Sequence, residues 1–145
     1  MPQVRATTTI VRPIEAVYAV LTDVEQTGRW FPGNVEEHWT SPPPHGVGST
    51  RRAVVTMLGR TENDAVVTVY EPPHRAGMRG TSPNAPFDAL LTFAETGTGT
   101  RVDVAIDLSA RGPMRLVIPL FAGWYGRQWE QGLANLKRMM ESGEL

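Results

Sequence analysis

Between Arg101 and Leu108 the chain alternates in polarity. Val102, Val104, Ile106 and Leu108 are apolar, while Arg101, Asp103 and Asp107 carry charge. Successive strand side chains point to opposite faces, so this stretch predicts a strand with one dry and one wet face. That is the pattern of an antiparallel sheet covered on one side only. Other β-rich runs with turn residues between them predict further strands at Val4–Val11, Val35–Thr40, Ser49–Leu58, Asp64–Glu71, Arg75–Thr81 and Phe87–Glu95. A turn containing Gly59 joins Ser49–Leu58 to Asp64–Glu71 as a hairpin. Pro72-Pro73 stops the second of these strands, and breaks follow at Pro83/Pro86 and at Thr96–Gly99, ahead of a last strand at Thr100–Ala110. The face of 64–71 that turns inward stays open, because Ala65, Val67 and Val69 compete with Val66, Thr68 and Tyr70.

Two segments have helical spacing instead. Ile14, Val17, Tyr18 and Leu21 recur at i, i+3, i+4 and i+7, and Pro13 before them suits a first helical position, where its missing N–H costs nothing. Thr22 with Glu25 fits a capping box, which predicts a second short helix ending at Gly28, followed by a corner at Trp30-Phe31-Pro32. From Arg115 to Glu141 runs one long helix. Ile118, Phe121, Ala122, Tyr125, Trp129, Leu133, Leu136 and Met140 fall on about one third of its circumference, with Arg127, Glu130, Lys137, Arg138 and Glu141 opposite. The apolar stripe from Ile118 to Met140 is about 35 Å long at 1.5 Å per residue. Gly123, Gly126 and Gly132 weaken its intrinsic propensity by about 1 kcal/mol each, so it must be held by packing. Pro119 belongs to its first turn or to a kink. Leu120 and Trp124 sit off the apolar stripe; cover by loops or by the short N-terminal helices is expected for them, the alternative being that they are exposed and mark a mouth or a dimer patch.

The pattern adds up to an α+β chain: a curved antiparallel sheet of about seven strands, two short N-terminal helices and one long C-terminal helix closing over a cavity. At 145 residues a single domain spanning 1–145 is expected. The formal charge is −1 with scattered basic residues, which argues against a nucleic-acid footprint. Cysteine is absent, which removes disulfides and thiolate chemistry. The N-terminus lacks a signal-peptide pattern, and the longest apolar run is about half of the ~20 residues a bilayer span needs. These features predict a cytoplasmic protein with no membrane span, as a monomer or homodimer.

Candidate chemistry is sparse. His38, His45 and His74 are widely spaced, so no metal site and no cofactor is expected, and all three read as surface histidines. Of Glu36 and Glu37, one carboxylate points inward if this segment is a strand. It would then need a partner, for which Arg52 is the candidate; a solvated strand edge is the competing reading. No serine has a nucleophile-elbow setting, and no catalytic residue is assigned. The loop Gly46-Val-Gly48 reads as a tight turn rather than a phosphate cradle, because no helix N-terminus follows it. Trp30, Phe31 and Trp39 gather near the corner, as a binding wall or as a packed cluster.

The stretch Ile10–Trp30, with Pro13, Glu15, Val17, Leu21-Thr22-Asp23 and Trp30, resembles the opening of the START/Bet v 1-like (SRPBCC) superfamily. The branch it is most similar to is that of the polyketide cyclases/dehydrases and lipid-transport proteins. Gly46-Val-Gly48, Glu71-Pro72-Pro73, Gly99-Thr100-Arg101-Val102 and Leu133–Glu141 extend the likeness over nearly the whole chain. The resemblance implies the helix-grip fold and a hydrophobic cavity between sheet and C-terminal helix. Expected ligand-binding residues are Trp30, Phe31 and Trp39 from the corner, Arg52, Tyr70, Phe93 and Ile106 from the sheet, and Phe121, Tyr125, Gln128 and Trp129 from the helix. A small hydrophobic molecule, lipid-like or aromatic and polyketide-like, is the expected partner of a non-catalytic carrier or sensor. The alternative is an aromatase/cyclase-like enzyme acting on a polyketide-type chain through Tyr70, Glu37 and Arg52. A third reading, a protein-binding module of the chaperone-ATPase-activator kind, would need an apolar outer sheet face, where 101–107 instead carries charge.

Overall fold

A computed structural model describes residues 3–32, 35–56, 60–82, 86–109 and 116–145. Strand β1 (Gln3–Ile10) leads into helix α1 (Ile14–Thr22), a short 3-10 helix (Val24–Gln26) and a four-residue helix α2 (Thr27–Trp30). Six strands follow: β2 (Val35–Trp39), β3 (Thr50–Thr56), β4 (Arg60–Glu71), β5 (Arg75–Gly80), β6 (Phe87–Glu95) and β7 (Thr100–Leu108). Helix α3 (Ile118–Ser142) closes the chain. The strands form one curved, open, antiparallel sheet in the order β1-β7-β6-β5-β4-β3-β2. The expected α+β helix-grip architecture is present. The Gly59 turn, Pro83, and the chain from Ala110 to Arg115 lie outside the described residues.

The boundaries depart from expectation in ways that have local causes. Pro13 is the residue before the first turn of α1 rather than its first member, and its carbonyl accepts from the N–H groups of Ala16 and Val17, both at 3.1 Å. The capping box at Thr22 and Glu25 does not form. The Thr22 hydroxyl donates back to the Tyr18 carbonyl at 2.7 Å, and Asp23 caps the 3-10 helix by accepting from the Glu25 N–H at 3.1 Å. Glu25 is thereby released to bond elsewhere. Helix α2 runs through Gly28 to Trp30. Strand β4 begins four residues earlier than its apolar pattern suggests, because its first half, Arg60–Asp64, is polar.

The inward face of β4 changes partway along. Register against β5 shifts between Val67 and Val69, leaving Thr68 as an extra residue. Such a bulge opposes two residues to one and resets the alternation. Ala65 and Val67 point inward before it and Tyr70 after it, so each competing phase holds for half of the strand.

Helix α3 divides by function along its length. In its second half Leu133, Leu136 and Met140 are at most 2% exposed and belong with Ile10, Val17, Val102 and Val104 to the most deeply buried part of the core. Gly132 lies there against the α2 corner: a Cβ would meet Trp30, Phe31 and Pro32 at 3.3 Å, closer than most real contacts. The helical propensity lost at this glycine is exchanged for close approach. Lys137 donates to the Thr9 carbonyl at 2.7 Å, and Glu141 accepts from the Val11 N–H at 2.9 Å, fixing the helix along the β1 edge. Its first half is not packed this way.

Candidate functional site: a cavity beneath the first half of helix α3

Under Val117–Trp129 the sheet and helix stand apart and enclose a cavity of about 820 Å³. Its roof is Phe121, Trp124, Tyr125, Gln128 and Trp129, its floor includes Ala53, Val67, Met78, Leu91, Ile106 and Leu108, and one side is the Trp30-Phe31-Pro32 corner. The aromatic rings are mutually braced. Phe31 packs edge-on to Trp129 at 5.2 Å between centroids, Trp30 lies 5.8 Å from Trp129, and Phe121 stacks on Tyr125 at 5.4 Å. This wall exists because α2 delivers two adjacent aromatics to a helix face that repeats an aromatic every four residues.

Of the residues expected at the site, Trp30, Phe31, Trp39, Tyr70, Ile106, Phe121, Tyr125, Gln128 and Trp129 all line this cavity. Two do not. Phe93 is buried in the core against Tyr18, 5.0 Å between ring centroids. Arg52 points to the outer face of the sheet, half exposed, and pairs with Asp64 at 2.8 Å. The inward arginine is its neighbour Arg51, and the cause is the two-residue alternation of β3, which puts Arg51, Ala53 and Val55 on the cavity side.

Glu37 is the inward carboxylate, so its strand is not a solvated edge at this point. Its oxygen lies 3.1 Å from Arg51 Nε, with side-chain exposures of 14% and 9%. Trp39 is the direct cross-strand partner of Arg51, which sets Glu37 on the diagonal. Arg51 Nη1 donates to the Asn63 carbonyl at 3.0 Å and Nε to Met78 Sδ at 3.4 Å, and the guanidinium lies 5.8 Å from the centre of the Phe87 ring. Burial pushes the Glu37 carboxyl above the ordinary carboxylate range, with the Arg51 charge and the Thr27 hydroxyl opposing it. Burial likewise raises the Tyr125 phenol, opposed chiefly by the nearby Trp129 indole N–H, while the Glu37 charge raises it further. An ion pair and a phenol thus face a lining that is otherwise mostly apolar.

The large lining residues Tyr70, Val117, Leu120 and Phe121 also reach solvent. Leu120 is 78% exposed, so the expected loop cover is not found there among the described residues, and the residue marks an opening of the cavity. Tyr18 stands behind Tyr70, its ring 5.9 Å away. Its hydroxyl donates to the Arg75 carbonyl at 2.9 Å, and burial pushes its pKa up to about 12. The loop after β2 supplies a second closure. His45, expected at the surface, is half-buried and stacks on Trp39 at 3.9 Å with 11° between the planes. Trp30 Nε1, Trp129 Nε1 and His45 Nδ1 are buried without a hydrogen-bond partner among the described residues. Below the loop, Glu25 joins the 3-10 helix to β2 through His38 Nδ1 and the Trp39 N–H, both at 2.8 Å. No cluster of three or more metal-ligating side chains occurs among the described residues.

The residues of greatest chemical interest that sequence reasoning missed are Arg51 and His45. The family whose description reads polyketide cyclase/dehydrase and lipid transport matches residues 1–141. The chain belongs to that family. The uncharacterized protein Rv2574 of Mycobacterium tuberculosis is 28% identical over 134 residues, covering 88% of this chain and 78% of that protein. Among solved structures, TTHA0849 from Thermus thermophilus superposes with a TM-score of 0.81 at 20% identity, over 99% of this chain and all of that one. DynU16, a putative protein in the dynemicin biosynthetic locus, does so with a TM-score of 0.71 at 19% identity, over 99% of this chain and 48% of its own. These structural likenesses are likenesses of fold, and the same fold hosts unrelated activities. No helix among the described residues is long and apolar enough to cross a membrane.

Proposed function

We propose that this protein is a container for a small hydrophobic ligand, acting as a non-catalytic carrier or sensor. The observation that carries the reading is the unfilled space of about 820 Å³ between the sheet and the first half of α3, within the size range of small-molecule sites. Affinity would come from burial of apolar surface, at about 25 cal/mol per Å² removed from water. Trp30, Phe31, Phe121, Tyr125 and Trp129 supply rigid aromatic area, and Arg51 with Glu37 supplies orientation. Tyr70 and Leu120 sit where the ligand enters.

Native mass spectrometry of protein purified from cells tests this. The expected spectrum carries a co-purifying lipophile, with less of it in Tyr125→Trp, which adds bulk to the roof of the cavity. A spectrum of bare protein that also fails to take up added lipophile would refute the container.

A second reading, a cyclase-like enzyme, is favoured by one observation. Glu37, Arg51 and Tyr125 bring a base with a raised pKa, a fixed cation and a phenol to one cavity. Enolisation of a bound polyketide-type chain would use Glu37 as base and Arg51 as the donor to the developing oxyanion. Turnover of a β-polyketone surrogate that Glu37→Gln abolishes while leaving binding intact would establish it. Binding without turnover leaves the carrier.

A further inference from the structure

We infer that the ligand of this cavity carries an uncharged oxygen, a hydroxyl or a carbonyl, at the end that meets Arg51 and Glu37, and that the site discriminates against a carboxylate there. The inference deepens the container reading and rests on it.

The Arg51 side chain is 9% exposed. Nε faces Met78 Sδ and Glu37, and Nη1 bonds the Asn63 carbonyl. Nη2 has no acceptor among the described residues, so a buried guanidinium keeps N–H groups to spare on the wall of the cavity. Glu37 lies beside Nε, with the Thr27 hydroxyl as its other polar neighbour. An ionised carboxylate offers about four acceptor positions, so these two neighbours leave part of it unanswered. The pair is therefore balanced in charge and incomplete in hydrogen bonding. Neither side chain has an atom that is both fully buried and unpartnered, so these groups face the open cavity space, and an incoming oxygen takes the place of water there. A hydroxyl answers both halves, accepting from Nη2 and donating to Glu37. A carbonyl answers the first half.

Charge decides against the acid. Arg51 is already neutralised by Glu37, and a ligand carboxylate would add a second anion within the same apolar volume. Like charges at such a distance in low dielectric cannot both stay ionised without penalty. An ammonium end meets the mirror-image obstacle in Arg51. A neutral oxygen is the end group that leaves the charge balance intact.

The test is a titration of dodecanol, dodecanoate and dodecane, read by the fluorescence of Trp30, Trp39, Trp124 and Trp129, which all line the cavity. Mildly alkaline buffer keeps dodecanoate ionised. Dodecanol is expected to bind at least about tenfold more tightly than dodecanoate in the wild type, the ratio one charge-assisted hydrogen bond commands. An entirely apolar wall would give the same order, so the deciding readout is Glu37→Gln. Removing the resident anion frees the Arg51 charge for the ligand, and the ratio is expected to fall about tenfold. An unchanged ratio in that variant, with circular dichroism confirming its fold, overturns the inference. So does a wild type that prefers dodecanoate, a result that needs no variant. If dodecane and dodecanol both fail to bind, the container reading itself falls. If dodecane binds while the alcohol-to-acid ratio ignores Glu37, only this inference falls.

Discussion

The Arg51 guanidinium stands 3.1 Å from the Glu37 carboxylate, both side chains largely withdrawn from solvent, on the wall of an otherwise mostly apolar cavity. A buried ion pair is weak evidence for stability, because desolvation consumes much of the attraction. Its position on the inner wall, not its contribution to folding, is what makes it informative.

Glu37 makes stability depend on pH in a direction opposite to that of most carboxylates. Its folded-state pKa is raised, with burial the chief cause, so the native state holds the proton more tightly than the unfolded chain does. Stability should therefore fall as pH rises from the ordinary carboxylate range through the raised value. Glu37→Gln should remove that component of the slope, and urea melts of both proteins across this window measure it. Glu37→Ala should cost about 3 kcal/mol, since it leaves a buried guanidinium uncompensated.

The clasp from Glu25 to β2 titrates from both sides. Its partners hold the Glu25 carboxyl below the ordinary range, the His38 hydrogen bond first and the Trp39 N–H second, and Glu25 raises His38 in return. The Glu25 contribution is present above the ordinary carboxylate pKa and lost as pH falls through the lowered one. The His38 contribution is present below the ordinary imidazole pKa and lost as pH rises through the raised one. The protection of the Trp39 amide against exchange, taken relative to its intrinsic rate at each pH, should be greatest between these limits and should lose that maximum in Glu25→Gln.

The two halves of α3 should respond differently to truncation. Leu136 is fully buried in the core, and Leu136→Ala should cost about 3 kcal/mol. Phe121 is 40% exposed at the cavity, and Phe121→Ala should cost less than about 1 kcal/mol. Thermal or denaturant melts of the pair measure the contrast.

Ala53 sits on the cavity floor. Ala53→Leu puts its added carbons into open space, so stability should be unchanged or improved while ligand uptake falls. Overpacking a filled core would instead cost about 1–3 kcal/mol. Melts and lipophile binding on one preparation separate the two outcomes.

Much of this arrangement is legible in the chain. The alternation at 101–108 and the 3.6-residue stripe of α3 report β7 and the closing helix directly, because each element keeps its apolar side turned toward the other along its length. The Trp30-Phe31 corner and the aromatics at 121, 125 and 129 identify the wall for the same reason. What stays hidden depends on non-local pairing. Arg51 and Arg52 are chemically identical neighbours, and only the register of β3 against β2 and β4 decides which turns inward. The bulge at Thr68 defeats any constant two-residue period, so neither phase of β4 holds throughout. His45 reaches Trp39 across a loop whose path no local pattern encodes, and the exposure of Leu120 is a tertiary outcome that its place off the apolar stripe does not fix.

Crystals pressurised with xenon test the central claim most directly, since a dry apolar cavity takes up xenon. The account predicts xenon between Tyr125 and the floor formed by Ala53, Met78 and Leu91, with none beneath Leu133–Met140. Absence of xenon under the first half of α3, with side chains filling that space, would contradict it.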